Sequence, residues 1–228
     1  MLSFFGRAAV SKATAPLGKA LNSTGLTPDA VTVIGTVGSI VAAVTLFPTG
    51  HLWWGAFAIW MFVMFDMLDG AMARARGGGT PFGAVLDATC DRIADGAIFA
   101  GLAWWVVYHE NSKPLLIATL ICLVTSQVIS YAKARAEASG LSADGGLIER
   151  PDRLVIVLVG AGFTGIGGHW GIGWLEWSVH VAMWILAVAS IITVFQRVLE
   201  TRSSAGARTI IPIAPPKPVD GTGAESAR

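Results

Sequence analysis

Residues 30–47, 114–132 and 177–196 run for 18, 19 and 20 positions without an Asp, Glu, Lys or Arg. A helix needs about 20 residues to cross a hydrocarbon core of ~30 Å, so each run can span a bilayer. Three shorter apolar runs, 52–65, 96–108 and 154–168, reach that length only by taking in polar residues at one end. Only 14% of the 228 residues are charged, against about 25% in a soluble domain. That excludes an ordinary water-soluble globule. The net charge of +1 gives no reason to expect a nucleic-acid partner. Two cysteines, Cys90 and Cys122, exclude a disulfide-rich scaffold and a four-cysteine zinc site.

The connectors alternate in character. Segments 48–51, 109–113 and 168–173 hold one basic residue between them, Lys113, whereas the other 15 of 16 fall on the opposite side. By the positive-inside rule this predicts six spans with both termini in the cytoplasm. Trp53, Trp54, Trp104, Trp105, Trp170 and Trp174 fall near the outer ends, as an aromatic belt would. No signal peptide is expected at the start, because Arg7, Lys12 and Lys19 follow the apolar residues 1–5 instead of preceding them. Phe4, Phe5, Val10 and Leu17 interleave with Lys12 and Lys19, the pattern of a helix lying on a membrane surface.

The expected fold is an all-α integral membrane protein with six transmembrane helices, multi-pass in the cell membrane. An N-terminal interfacial helix is expected over 1–26, the six-span domain over 27–202, and a disordered Pro/Gly/Ala/Ser-rich tail over 203–228.

Asp66, Asp69, Asp87 and Asp91 stand at the cytoplasmic ends of the second and third spans. Charged groups inside a membrane protein are costly and mark function. Spacings of i,i+3 and i,i+4 place each pair on one helix face. Gly77, Gly78, Gly79 and Pro81 turn the chain back between them, so two antiparallel helices are expected to present their carboxylates to each other. Four clustered carboxylates need a cation. Oxygen ligands select a hard one, Mg²⁺, Mn²⁺ or Ca²⁺, and two ions would suit phosphoryl chemistry. A polar helix-end cluster satisfied by Arg74, Arg76 and Arg92 is the plainer alternative.

With Gly70, Ala73 and Gly83 these residues read D66-x-x-D69-G70-x-x-A73-R74-x8-G83-x3-D87-x3-D91. This string resembles the signature of the CDP-alcohol phosphatidyltransferases at every fixed position. The resemblance implies an enzyme that moves a phosphatidyl group from a CDP-lipid such as CDP-diacylglycerol to an alcohol and releases CMP. It implies that Asp66, Asp69, Asp87 and Asp91 hold two metal ions, Mg²⁺ or Mn²⁺, with Asp91 also the general base. It further implies that Asp69, Gly70, Ala73 and Arg74, with Thr32 and Gly83, hold the CDP-lipid. Asp29 stands where many members have Asn. A homodimer is expected by the same resemblance, for which Gly96, Ala97, Ala100 and Gly101 could serve, although they could equally pack spans within one subunit.

Lys133, Arg135, Arg153 and Arg197 approach the same side as the aspartates. A phosphorylated acceptor calls for such a cluster, because Arg and Lys pair well with phosphate; contact with anionic membrane lipids is the alternative, and the better reading of Arg150, Arg202 and Arg208. The strings K-A-R-A-E from Lys133 and E-R-P-D-R from Glu149 are similar to those of the actinobacterial phosphatidylinositol-phosphate synthases within that family. This implies inositol phosphate as acceptor, gripped by Lys133, Arg153 and Arg197, with Arg135 and Glu137 in lesser roles. Glycerol 3-phosphate is the next candidate, and a cation channel lined by the aspartates is the alternative from a different class.

Overall fold

The computed structural model describes residues 20–23 and 25–210. Most of the expected interfacial helix and all but 203–210 of the expected tail lie outside the described residues. Among the described residues the chain is all-helical, with no strand.

The described residues form six long helices: α1 Pro28–Leu46, α2 Leu52–Ala75, α3 Pro81–Trp105, α4 Lys113–Ala138, α5 Arg150–Trp170 and α6 Ser178–Ser203. Their starts are written in the sequence. Thr27, Thr80 and Ser112 each cap the next helix through a side-chain oxygen and are followed by a proline in the first turn. At α5, Glu149 and Asp152 form a reciprocal capping box ahead of Pro151's helix. A π-helical turn, Val106–Glu110, ends α3 at the left-handed residue Asn111. A single helical turn, Gly173–Glu176, precedes α6.

Helices α1, α2, α4, α5 and the stretch Gly173–Ser203 are long and apolar enough to cross a membrane. Helix α3 has the length but carries Asp87, Asp91, Arg92 and Asp95. Large apolar side chains stand exposed along the bundle, among them Ile34, Val37 and Val41 on α1 and Ile185, Val188 and Phe195 on α6. Water would oppose so large an apolar surface, whereas lipid tails cover it.

The helices close into a ring. Helix α1 packs on α2 and α3, α2 on α5, α5 on α6, α6 on α4, and α4 on α3. The enclosed core contains Phe47, Ile59, Ile98, Leu102, Leu115, Val157, Met183 and Leu186. Close approach depends on glycine at two seams. A Cβ on Gly101 would overlap the carbonyl oxygen of Ala43 in α1, and one on Gly165 would overlap the backbone nitrogen of Trp53 in α2. Gly101 is thus occupied within the subunit. Helices α2 and α3, although consecutive, pack against α1 rather than along each other, which leaves room between their polar ends.

Candidate metal and substrate site

Helix α2 continues unbroken past its apolar part to Ala75, which carries Asp66 and Asp69 on one face. The chain then reverses through Gly77 and Gly78, at φ 95° and 146°, a region that side chains other than glycine rarely adopt. Thr80 caps α3 by accepting from Gly83 N at 2.9 Å. On α3, Asp87, Asp91 and Asp95 follow at four-residue intervals along one face.

Carboxylate oxygens of Asp66, Asp69 and Asp87 lie within 4.8 Å of one another. Asp66 Oδ1 is buried and has no hydrogen-bond partner among the described residues. The hydroxyl of Thr32, on α1, donates to Asp69 Oδ2, and Gly70 N donates to Asp69 Oδ1. Three converging carboxylates with an unpaired buried oxygen fit a hard divalent cation. Asp91 is placed differently: its Oδ1 lies 2.8 Å from Arg150 Nη2, and its Oδ2 lies 3.9 Å from Arg92 Nη2.

A cavity of about 420 Å³ opens beside the carboxylates, lined by Thr32, Asp69, Gly70, Ala73, Gly83 and Asp87, among others. Arg74 is exposed, and its Nη1 lies 3.3 Å from where a Gly70 Cβ would stand. Asp29 Oδ1 lies 3.2 Å from the corresponding point on Gly83, so side chains at both glycines would intrude on this space. Arg76, also at the rim, is engaged elsewhere. It donates to Asn22 Oδ1 and Leu26 O, each at 2.7 Å, and ties the segment before α1 to the end of α2.

The basic residues separate into two groups. Lys133 reaches Asp144 at 3.1 Å and Glu137 at 3.8 Å. Arg197, 5% exposed, donates to Gly145 O at 3.2 Å and Ile129 O at 2.9 Å. Both therefore meet the 144–145 loop, and α6 holds the same stretch of chain: Gly145 N donates to Glu200, Leu147 N to Gln196 and Ile148 N to Thr193. The hydrogen bond and charge of Lys133 hold the Asp144 carboxyl below the usual carboxylate range. Deeper in the bundle, Arg153 meets Asp95 at 3.4 Å. Arg135 is exposed, two residues from Lys133.

Two features depart from the sequence reading. Arg150, assigned there to lipid headgroups, is turned inward onto Asp91 and Asp95, because α5 packs in the same ring as the acidic helices. Asp95, given no role there, is 2% exposed and meets three arginines. Its signal was the four-residue interval after Asp87 and Asp91, which continues for one more step.

The opposite end of the bundle has another chemistry. A cavity of about 960 Å³ there is lined by His51, His109, His169, Trp53, Trp54 and Trp170, among others. Among the described residues, neither lysine nor arginine lines it.

This arrangement, a carboxylate trio beside a glycine-floored cavity in a helical bundle, is that of a membrane phosphotransferase. A profile of the CDP-alcohol phosphatidyltransferase family matches residues 25–195. The chain belongs to that family and is an enzyme of it.

Its relatives are more specific. It is 63% identical over 212 residues to the phosphatidylinositol phosphate synthase of Mycobacteroides abscessus, covering 93% of this chain and 94% of that one. It is 61% identical over 201 residues to the synthase of Mycolicibacterium smegmatis, covering 88% and 89%. The crystal structure of the Mycobacterium tuberculosis phosphatidylinositol phosphate synthase with CDP-DAG bound superposes with a TM-score of 0.82 at 58% identity, covering 89% of this chain and all of that one. A second structure of that synthase, in complex with manganese and citrate, gives the same score and identity over 87% and 93%.

Proposed function

We propose that the protein transfers the phosphatidyl group of CDP-diacylglycerol to inositol phosphate, giving phosphatidylinositol phosphate and CMP. The observation that carries this reading is 63% identity to a synthase of that activity over nearly the whole of both chains. All eight positions of the family signature are present as well.

In this reading all six long helices cross the cell membrane. The site end faces the cytoplasm, as the 15 basic residues on that side support. The protein works as a homodimer; Gly101 is taken up inside the subunit, which leaves the exposed Ala100 among the small residues of α3 for the interface.

Asp66, Asp69, Asp87 and Asp91 would hold two divalent ions, Mg²⁺ or Mn²⁺. When bound, the ions neutralise the pyrophosphate of the CDP-lipid and stabilise the departing CMP. The chain's own residues do the rest. Thr32 fixes the Asp69 carboxylate, and Gly70 and Gly83 leave room for the nucleotide diphosphate, with Ala73 and Arg74 alongside. Asp91 takes the proton of the acceptor hydroxyl at a carboxylate oxygen. That hydroxyl oxygen then attacks the lipid-side phosphorus in line, and the bond from that phosphorus to the CMP oxygen breaks. Arg153, Arg197 and Lys133 hold the acceptor phosphate, and Arg135 lies at the rim.

The test uses purified enzyme with CDP-diacylglycerol and Mg²⁺, offered inositol, inositol phosphate and glycerol 3-phosphate in parallel. CMP release with inositol phosphate far above the other two is expected. A preference for glycerol 3-phosphate or free inositol would overturn the acceptor while leaving the family intact.

A further inference from the structure

Asp95 lies outside the eight-position signature, yet it is among the most buried charged groups described in the protein, at 2% exposure. Three guanidinium groups converge on its two oxygens. Arg150 Nε reaches Oδ1 at 3.3 Å, while Arg153 Nη2 and Arg92 Nη2 reach Oδ2 at 3.4 and 3.5 Å. A buried ion cluster of this kind is a poor way to stabilise a bundle, since apolar side chains of similar volume often pack as well or better. What the cluster does do is fix where the guanidinium groups stand.

Arg153 shows what is being fixed. It is 2% exposed, and its Nε and Nη1 are buried without a hydrogen-bond partner among the described residues. Buried donors left open are costly. Nη2 carries two hydrogens, so with one on Asp95 the other can pair with the Nε–H or with an Nη1–H, and such adjacent N–H groups are how guanidinium grips phosphate. Arg150 is anchored in a similar way, with Nε on Asp95 and Nη2 on Asp91.

We infer that Asp95 is a positioning residue for the acceptor: it holds Arg153 by Nη2 so that Nε and Nη1 stay open to the acceptor phosphate, and it seats Arg150 beside Asp91. The inference rests on the proposed function, since it supposes a phosphorylated acceptor. Asp95 itself touches neither substrate. It acts through the two arginines.

The experiment measures the KM of each substrate separately for the unaltered enzyme, for Asp95→Asn, and for the double variant Asp95→Asn/Arg150→Gln. The double variant removes a cation together with the anion and so guards against misfolding from unbalanced charge. Binding of inositol phosphate without CDP-diacylglycerol is measured alongside by calorimetry. In both variants the acceptor KM should rise about tenfold or more, the loss expected for a misplaced charge-assisted contact. With Mg²⁺ saturating, so that any change in metal affinity is not read, the CDP-diacylglycerol KM should stay nearly unchanged, and calorimetric affinity for inositol phosphate should fall in parallel. A merely structural role predicts fewer folded molecules with both KM values intact. That result, or an equal rise in both, overturns the inference in whichever variant folds. If the unaltered enzyme does not turn over inositol phosphate, the acceptor assignment fails and this inference fails with it. Normal turnover by the unaltered enzyme with a normal acceptor KM in the variants overturns this inference alone.

Discussion

Arg150 Nη2 stands 2.8 Å from Asp91 Oδ1, so the last aspartate of the signature is neutralised by a residue 59 positions later in the chain. Among the described residues, the other three aspartates face one another with no ion pair to a basic side chain. One site thus holds two electrostatic situations: a trio whose mutual repulsion calls for a cation, and a fourth carboxylate already matched by an arginine.

Replacing Asp66, Asp69 or Asp87 with Asn removes a full negative charge from the trio. Each variant should lose turnover and Mn²⁺ binding by electron paramagnetic resonance while remaining folded in detergent. In the presence of a chelator each should melt no lower than the unaltered protein, because removing a repelling carboxylate does not disturb the packing. Substantial activity in any two of the three would sink the trio as a metal site.

Asp91→Asn should behave otherwise. General base catalysis is typically worth ~10²–10⁴ in rate, and the variant should lose transfer by about that factor while still binding CDP-diacylglycerol. Arg150→Gln should tighten Mn²⁺ binding, since it removes a cation that competes for Asp91. A loss smaller than about tenfold in Asp91→Asn would place the base elsewhere. Unchanged Mn²⁺ affinity in Arg150→Gln would mean that the arginine and the metal do not compete.

Much of this was legible in the sequence because it depends on local rules. Long uncharged runs mark the helices, Thr27-Pro28 and Thr80-Pro81 mark helix starts, and i,i+3 and i,i+4 spacing puts the aspartates on helix faces. The ring order of the helices was not legible. It is set by which surfaces let backbones approach, as Gly101 does against Ala43 and Gly165 against Trp53, and those partners lie far apart in the chain. The pairing of Arg150 with Asp91 and Asp95 depends on that order. Arg150 and Arg153 visibly share a face of α5, three residues apart, but whether that face meets lipid or carboxylate depends on where α5 sits in the ring.

Asp144 offers a reporter for acceptor binding. Its carboxyl is fully exposed and is held below the ordinary range by Lys133. A lowered folded-state pKa means that the contact is fully present above the ordinary carboxylate pKa of about 3.9 and is lost as pH falls through the lowered value. If the acceptor phosphate draws Lys133 away, the Asp144 titration should move up toward the ordinary range on adding inositol phosphate. Carboxyl carbon chemical shifts against pH, with and without acceptor, measure this. A titration that does not move would leave Lys133 on Asp144 and remove it from the phosphate site.

Arg153 and Arg197 should both matter for the acceptor, but in different ways. Arg153 has two buried nitrogens open, whereas two nitrogens of Arg197 already hold the carbonyls of Gly145 and Ile129. Hydrogen bonds to charged groups are worth about 1.5–3 kcal/mol, or roughly ten- to a hundredfold in affinity. Arg153→Ala should therefore raise the acceptor KM by about that factor and leave the CDP-diacylglycerol KM nearly unchanged. Arg153→Lys should rescue little, since a single ammonium cannot hold Asp95 and present a planar fork to phosphate together. Arg197→Ala should also raise the acceptor KM, and should in addition loosen the 144–145 loop, seen as faster amide hydrogen exchange at Gly145 and Gly146. Unphosphorylated inositol should be a poor substrate for the unaltered enzyme, because it would leave the buried donors of Arg153 unpaired. Steady-state kinetics with both acceptors decides the matter: a normal acceptor KM in Arg153→Ala would show that this buried guanidinium serves the bundle and not the substrate.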